Sequence, residues 1–206
     1  DSYYNIWIGT YGNGLICYMP ATKEVRIFKD PVLADNNITT IIEDEQGNLF
    51  VGTKKQGLSR YNRKENNFTL VPYIGNEVLS VRCMSLVNDR LLVGTDGQGL
   101  KMYNPAKGEL EDYTINSAPI NFSDGKIHTI LEDKDDNLWL FTDNNSLYRV
   151  NLDWSKNKPD IKDIKPVILS QSSHDVFYNL YTNQIWEQNE NRHINIYDVP
   201  TETKML

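Results

Sequence analysis

Apolar residues in this chain come in short runs separated by Gly, Asn and Asp, and the runs recur in a fixed order. One reads Trp7-Ile8-Gly9-Thr10, then Gly14-Leu15, then Tyr18. A second reads Phe50-Val51-Gly52-Thr53, Gly57-Leu58 and Tyr61-Asn62, and a third Leu92-Val93-Gly94-Thr95, Gly99-Leu100 and Tyr103-Asn104. A fourth keeps Trp139-Leu140-Phe141-Thr142, Ser146-Leu147 and Val150-Asn151, and a fifth keeps only Ile185-Trp186, Ile194 and Tyr197-Asp198. From the large first residue to the aliphatic one is eight positions in every copy, and to the Tyr or Val eleven. The copies start 43, 42, 47 and 47 residues apart, so this is a repeat.

Upstream of each block lies another alternating run: Ile38 to Asp44, Val81 to Val87 and Ile127 to Asp133. A turn follows, at Glu45 to Asn48, Asn88 to Arg90 and Lys134 to Asn137, in residue types that tolerate tight hairpins. A last run follows each block: Val25 to Phe28, Phe68 to Val71 and Leu110 to Tyr113. One repeat is therefore four short strands in ~40–50 residues, the size of a propeller blade. No window holds a helical period, so almost no helix is expected. The fold class predicted is all-β: a β-propeller of four-stranded antiparallel blades. About five blades are present, at residues 4–30 (partial), 36–73, 78–115, 124–169 and 175–206 (degenerate).

A four-stranded sheet cannot bury both faces alone, so the repeated Trp, Phe, Leu and Tyr positions should lie between blades. Gly9, Gly52 and Gly94 should sit where a neighbouring strand or ring comes close. Phe141 and Gln188 take that place in the last two copies, whose packing there must differ. The chain starts part-way into a blade, which predicts part of a larger ring, for example a seven-bladed one. The alternative is a five-bladed ring closed by the N-terminal residues. No basic and apolar leader precedes Asp1, so a leader has been removed or the chain comes from something longer.

The pattern I-x-x-I-x-E-D-x-x-G-N-L-[WF]-[VI]-G-T-x-x-x-G-L-x-R-Y-N resembles the two-component regulator propeller repeat, most closely from Ile38 to Asn62. The third copy departs from it with Asn88-Asp89 in place of the Glu-Asp turn and with Lys101-Met102. The resemblance is good over residues 4 to 150 and poor over 176 to 200. It implies the extracytoplasmic, periplasmic sensor part of a Bacteroides-type hybrid sensor histidine kinase, homodimeric at full length. It also implies an oligosaccharide as the expected signal and no phosphotransfer by this segment. A protein–protein interaction or dimerisation propeller is the alternative, and a propeller lyase or glycosidase ranks third.

Net charge is −7, without a Lys/Arg run, which argues against nucleic acid and anionic membrane surfaces as partners. No apolar stretch is long enough for a membrane helix. Cys17 and Cys83 form no ligand cluster and read as small buried hydrophobes; no metal site or cofactor is expected. Glu43-Asp44 and Glu132-Asp133 recur just before a turn, so they read as turn formers rather than an acid/base pair. The Asp-rich turns lack a calcium-loop spacing, and no catalytic residues are assigned. His128 is placed on an inner strand lining the axis, His174 in a linker and His193 near a turn. Trp154, Tyr178 and Tyr181, outside the strict motif, are the candidate sugar-stacking residues, with His128 as a further ligand contact. The stretches Asn116–Gly125 and Asp153–Pro166 are expected to be long recognition loops.

Overall fold

The computed structural model describes residues 1–75, 78–113, 125–143, 146–156, 158–168, 173–189, 191–201 and 203–204. The predicted all-β architecture is what it shows, with five antiparallel sheets in chain order and no α-helix among the described residues. The first sheet has three strands, β1 (Ile6–Gly9), β2 (Leu15–Met19) and β3 (Glu24–Phe28). The second holds β4 (Ile38–Glu43), β5 (Leu49–Thr53), β6 (Gly57–Asn62) and β7 (Asn67–Leu70). The third holds β8 (Val81–Val87), β9 (Arg90–Thr95), β10 (Leu100–Asn104) and β11 (Glu109–Asp112). The fourth holds β12 (Ile127–Glu132), β13 (Leu138–Thr142), β14 (Ser146–Asp153) and β15 (Asp160–Ile168). The fifth holds β16 (Ser173–Asn179), β17 (Gln184–Asn189), β18 (Ile194–Asp198) and β19 (Thr203–Lys204).

The motif spacing now has a physical meaning. The aliphatic residue eight positions after the block start pairs across the hairpin with the residue at the glycine position: Leu15 with Gly9, Leu58 with Gly52, Leu100 with Gly94, Leu147 with Phe141, Ile194 with Gln188. Leu15, Leu58, Leu100 and Leu147 are all fully buried. They face the next sheet, and alternate residues face the previous one. Phe50 and Leu58 thus pack in one cluster with Leu91 and Val93 of the third sheet. Leu92, Leu100 and Met102 in turn pack with Leu138 and Leu140 of the fourth.

The three glycines stand where a neighbour comes close, as expected, and the neighbour is an aliphatic side chain rather than a ring. A Cβ on Gly9 would lie 2.6 Å from Ile38, one on Gly52 2.4 Å from Val81, and one on Gly94 2.8 Å from Ile127. In each case the neighbour is the first residue of the next sheet's inner strand, so glycine sets the blade-to-blade distance. Cys17 and Cys83 are free thiols. Burial pushes the Cys83 thiol up to about 12.

Two expectations need correction. Asp153–Pro166 is not a long loop: β14 runs through Asp153, β15 starts at Asp160, and the two pair along their length. His174 is not in a linker, since it lies in the backbone of β16. Residues 116–124 of the other predicted loop lie outside the described residues.

The closed five-bladed ring is not observed. The inner strands pack in series, β1 on β4, β4 on β8, β8 on β12 and β12 on β16. Both end faces carry exposed apolar side chains instead. On the first sheet these are Ile6, Ile8, Val25 and Ile27, which share one face by register. On the fifth they are Phe177 and Ile194. The positions matching Ile6 and Ile8 in the second sheet, Leu49 and Val51, are fully buried against its predecessor. Uncovered apolar surface of this kind drives association. The 206-residue chain is therefore expected to self-associate at micromolar concentration. Ile8→Lys with Ile27→Lys should shift it toward the 23.8 kDa monomer in multi-angle light scattering. A wild-type chain that is already monodisperse as monomer would contradict this.

Candidate functional site at the hairpin face

The Glu-Asp pair of the repeat does two separate structural jobs, both at the turn between the first two strands of a blade. Asp133 clasps its own turn. It accepts hydrogen bonds from the amides of Asp135 (2.9 Å) and Asn137 (3.0 Å), from Asn137 Nδ2 (3.0 Å) and from the indole of Trp139 (2.8 Å). Asp44 repeats this with Gln46 and Asn48, although Phe50 has no N–H to add. Asp1 repeats it in full with Tyr3, Asn5 and Trp7. The first copy of the motif thus begins at Asp1.

The residue before that Asp reaches across to the preceding sheet. Glu43 accepts from the amide of Ser2 (2.5 Å) and its hydroxyl (2.8 Å), and also pairs with Arg63 at 2.6 Å. Glu132 accepts from the Asn88 amide (2.9 Å). Burial raises the Glu132 carboxyl above its ordinary value, and Asp136, Asp89 and Asp133 add to this against the Asn88 amide. In the fifth sheet Tyr178 stands at the same register position, and its hydroxyl accepts from the Lys134 amide (3.2 Å). At these three junctions a side-chain oxygen therefore staples the first turn amide of the preceding blade.

The junction between the second and third sheets is different. Leu86 occupies the glutamate position, and Asn88-Asp89 form a two-residue turn with both residues at positive φ (46° and 59°), the hairpin geometry Asn and Asp favour. No oxygen is available here for the matching amide, that of Glu45, which meets no protein acceptor among the described residues. A cleft of about 680 Å³ opens at this point. Its walls are Asp44, Gln46 and Asn48 of one turn and Leu86, Asp89, Arg90 and Leu91 of the other, with Met102 and Tyr103 between them. Arg60, Lys107, Lys158 and Glu111 stand around it.

The charges around the cleft are unevenly satisfied. Lys107 is paired with Glu111 at 2.8 Å. Arg60 donates to the side-chain oxygen of Asn48. Arg90 donates to the carbonyls of Asn88 (3.2 Å) and Lys156 (3.0 Å) and lies 5.3 Å from the Trp154 ring centre. Lys158 donates to the carbonyl of Asp112 (2.9 Å). Among the described residues neither Arg60 nor Arg90 pairs with a carboxylate, whereas Lys158 acts on the charges of Asp112 and Glu111. Nearby, the buried Lys101 pairs with Asp112 at 2.6 Å, and the Tyr73 hydroxyl donates to the same oxygen (2.8 Å). Burial opposes the charge on Asp112, but Lys101, Tyr73 and Lys158 outweigh it and hold the carboxyl below its ordinary value. This cluster does not line the cleft.

The structure does not bring the four predicted contact residues together. Trp154 is part-buried against the core between the third and fourth sheets, donates to the Asp136 carbonyl (3.3 Å) and backs Arg90 at the cleft margin. Tyr178 spends its hydroxyl on the Lys134 staple and on Asn183 (2.6 Å). Tyr181 is 99% exposed at the tip of the fifth sheet's hairpin. His128 lies at the opposite rim, in a β-bulge at the start of β12, with its ring 3.2 Å from Asp143 and tilted on Phe141. Sequence reasoning missed the cleft. Its signal was already present in the third copy, where Asn88-Asp89 replaces the Glu-Asp turn.

The sequence profile described as "two component regulator propeller" matches residues 32–55 and 121–144. Those two segments match the two-component regulator propeller repeat. The two matched segments span the inner strands, turns and glycine or Phe141 positions of the second and fourth blades. Over 161 residues the propeller is 29% identical to histidine kinase P4 of Formosa agariphila, covering 71% of this chain and 11% of that protein. Its fold is shared with the extracellular domain of BT4673 of B. thetaiotaomicron, described as a hybrid two-component system. That match has a TM-score of 0.71 at 22% identity and covers 93% of this chain and 25% of the other. The fold also matches virginiamycin B lyase of Staphylococcus aureus, with a TM-score of 0.66 at 13% identity over 97% of this chain and 68% of that one. At such identities the likeness is one of fold, which hosts both receptor and enzyme functions. The propeller spans about a tenth of the kinase it resembles and a quarter of the BT4673 domain.

Proposed function

We propose that this propeller is an extracytoplasmic, periplasmic ligand-sensing segment of a hybrid two-component sensor histidine kinase, dimeric at full length and responsive to an oligosaccharide. The repeat match carries the reading, and the 29% identity to a histidine kinase over 161 residues supports it. The chemistry of the segment fits binding better than catalysis. Its recurring carboxylates are committed to turns and staples, and a cleft of about 680 Å³ lies on the hairpin face. Signal would pass by ligand-induced change in blade or dimer contacts, since a ligand shifts an equilibrium only through differential affinity for its two states.

The test uses the full-length receptor. Oligosaccharides released from the polysaccharide that induces the receptor should bind the segment saturably in titration calorimetry. The same mixture should change autophosphorylation of the receptor reconstituted in vesicles. A receptor whose phosphorylation stays inducible after this segment is deleted would sink the reading.

A further inference from the structure

We infer that the cleft between the second and third blades is an anion site, where a ligand carboxylate or sulfate oxygen supplies the staple the third repeat lacks. The internal repeat provides the template. Glu43, Glu132 and Tyr178 each place an oxygen on the first turn amide of the preceding blade, at 2.5, 2.9 and 3.2 Å. At the remaining junction Leu86 offers no oxygen, and the equivalent Glu45 amide has no protein acceptor among the described residues. Beside that amide, with its neighbours Asp44 and Gln46 and with Leu86 on its walls, lies the cleft of about 680 Å³. Arg60 and Arg90, held only by neutral acceptors, stand around that space in a chain of net charge −7. An amide whose counterparts bind an oxygen and two arginines without carboxylate partners select an anion.

The acidic side chains at the cleft do not cancel this. Asp44 is committed to its own turn and Glu111 to Lys107. Asp89 is exposed on the far turn. Leu86 and Tyr103, packed in the same cluster, give the cleft an apolar side for the rest of the ligand, so the ligand class is an acidic small molecule with an apolar face, as in an acidic sugar. The inference builds on the ligand-sensing reading but is tested on this chain alone. Failure here leaves the receptor phosphorylation test standing, and failure there leaves the anion site standing.

The probes are sodium acetate and sodium sulfate, titrated into ¹⁵N-labelled chain at ionic strength held constant with sodium chloride. The Glu45 amide and the Arg90 side-chain resonance should shift saturably with one or both. Acetate alone would assign a carboxylate ligand, and sulfate a sulfated one. Leu86→Glu restores the repeat's own staple and should abolish the response, while Arg60→Gln with Arg90→Gln should weaken it at least roughly tenfold. The double glutamine variant is at the surface, so it keeps the test valid should Leu86→Glu fold poorly. The inference is overturned if chloride alone produces the same shifts, if the response persists in folded Leu86→Glu, or if it is undiminished in the double glutamine variant.

Discussion

Asp133→Ala should lower the unfolding free energy by roughly 3–5 kcal/mol, the larger of the two stability losses argued below. The carboxylate is almost fully buried and takes bonds from two backbone amides, one side-chain amide and one indole. Hydrogen bonds to a charged acceptor contribute about 1.5–3 kcal/mol each, and a buried donor left unmade costs about 1–3 kcal/mol. Simple addition over four donors overshoots, because water reaches the turn once the side chain is shortened. Asn137 is also buried, and it passes the constraint on to Asn151, whose Nδ2 donates to its side-chain oxygen at 2.9 Å. Truncation therefore loosens β13, β14 and the indole that seals the fourth blade against the fifth. Asp44→Ala should cost less, since its turn is more exposed and Phe50 offers no N–H. Urea denaturation followed by tryptophan emission measures both. A loss below about 1 kcal/mol for Asp133→Ala would show that the clasp is replaceable by water.

That prediction rests on a detail the sequence announced only in part. The eight- and eleven-residue spacings were sufficient for five sheets, because hairpin register converts linear spacing directly into facing pairs such as Leu58 with Gly52. The turn-forming role of Glu43-Asp44 and Glu132-Asp133 was also readable, because a residue pair that recurs before the turn in two blades cannot single out one site. The division of labour within the pair was not readable. Glu132 acts on Asn88, 44 residues away, and only the placement of two blades side by side brings them together. The same holds for Tyr178, which looked like a free aromatic because its copy shares no letters with the motif, yet occupies the glutamate's register position. The cleft was the hardest to foresee. It lies where the third copy departs from the motif, and whether a departure leaves space depends on how the neighbouring turns pack, which linear spacing does not encode. The exposure of Tyr181 and the isolation of His128 at the opposite rim follow from the same fact, that a blade's two ends face opposite sides of the molecule.

Gly52→Ala should destabilise the chain by about 2–3 kcal/mol, and the loss should be partly recovered when Val81→Ala is added. The new methyl would lie 2.4 Å from Val81 Cγ1 and 2.7 Å from Thr40 Cγ2. Both neighbours are β-branched and held by strand packing, so neither rotates away cheaply. Val81 is fully buried in the cluster between the second and third blades. The clash therefore has to be relieved by parting the blades. Val81→Ala alone removes two methyl groups and leaves a cavity, at a cost of about 1–3 kcal/mol. Together the two changes exchange one volume for the other across a single contact, so the double variant should be more stable than the sum of the singles by at least about 1 kcal/mol. Thr40 keeps the recovery incomplete. The chain carries a natural version of this exchange: where the glycine becomes Phe141, the strand position held by Ile38, Val81 and Ile127 in the other blades is occupied by Ser173. The blades still stack there, with Val176 packed in the Phe141 cluster. Denaturant midpoints of the four proteins in the cycle decide the matter. Strict additivity would mean that glycine is present at this position for a backbone reason, and that the distance between blades is set elsewhere.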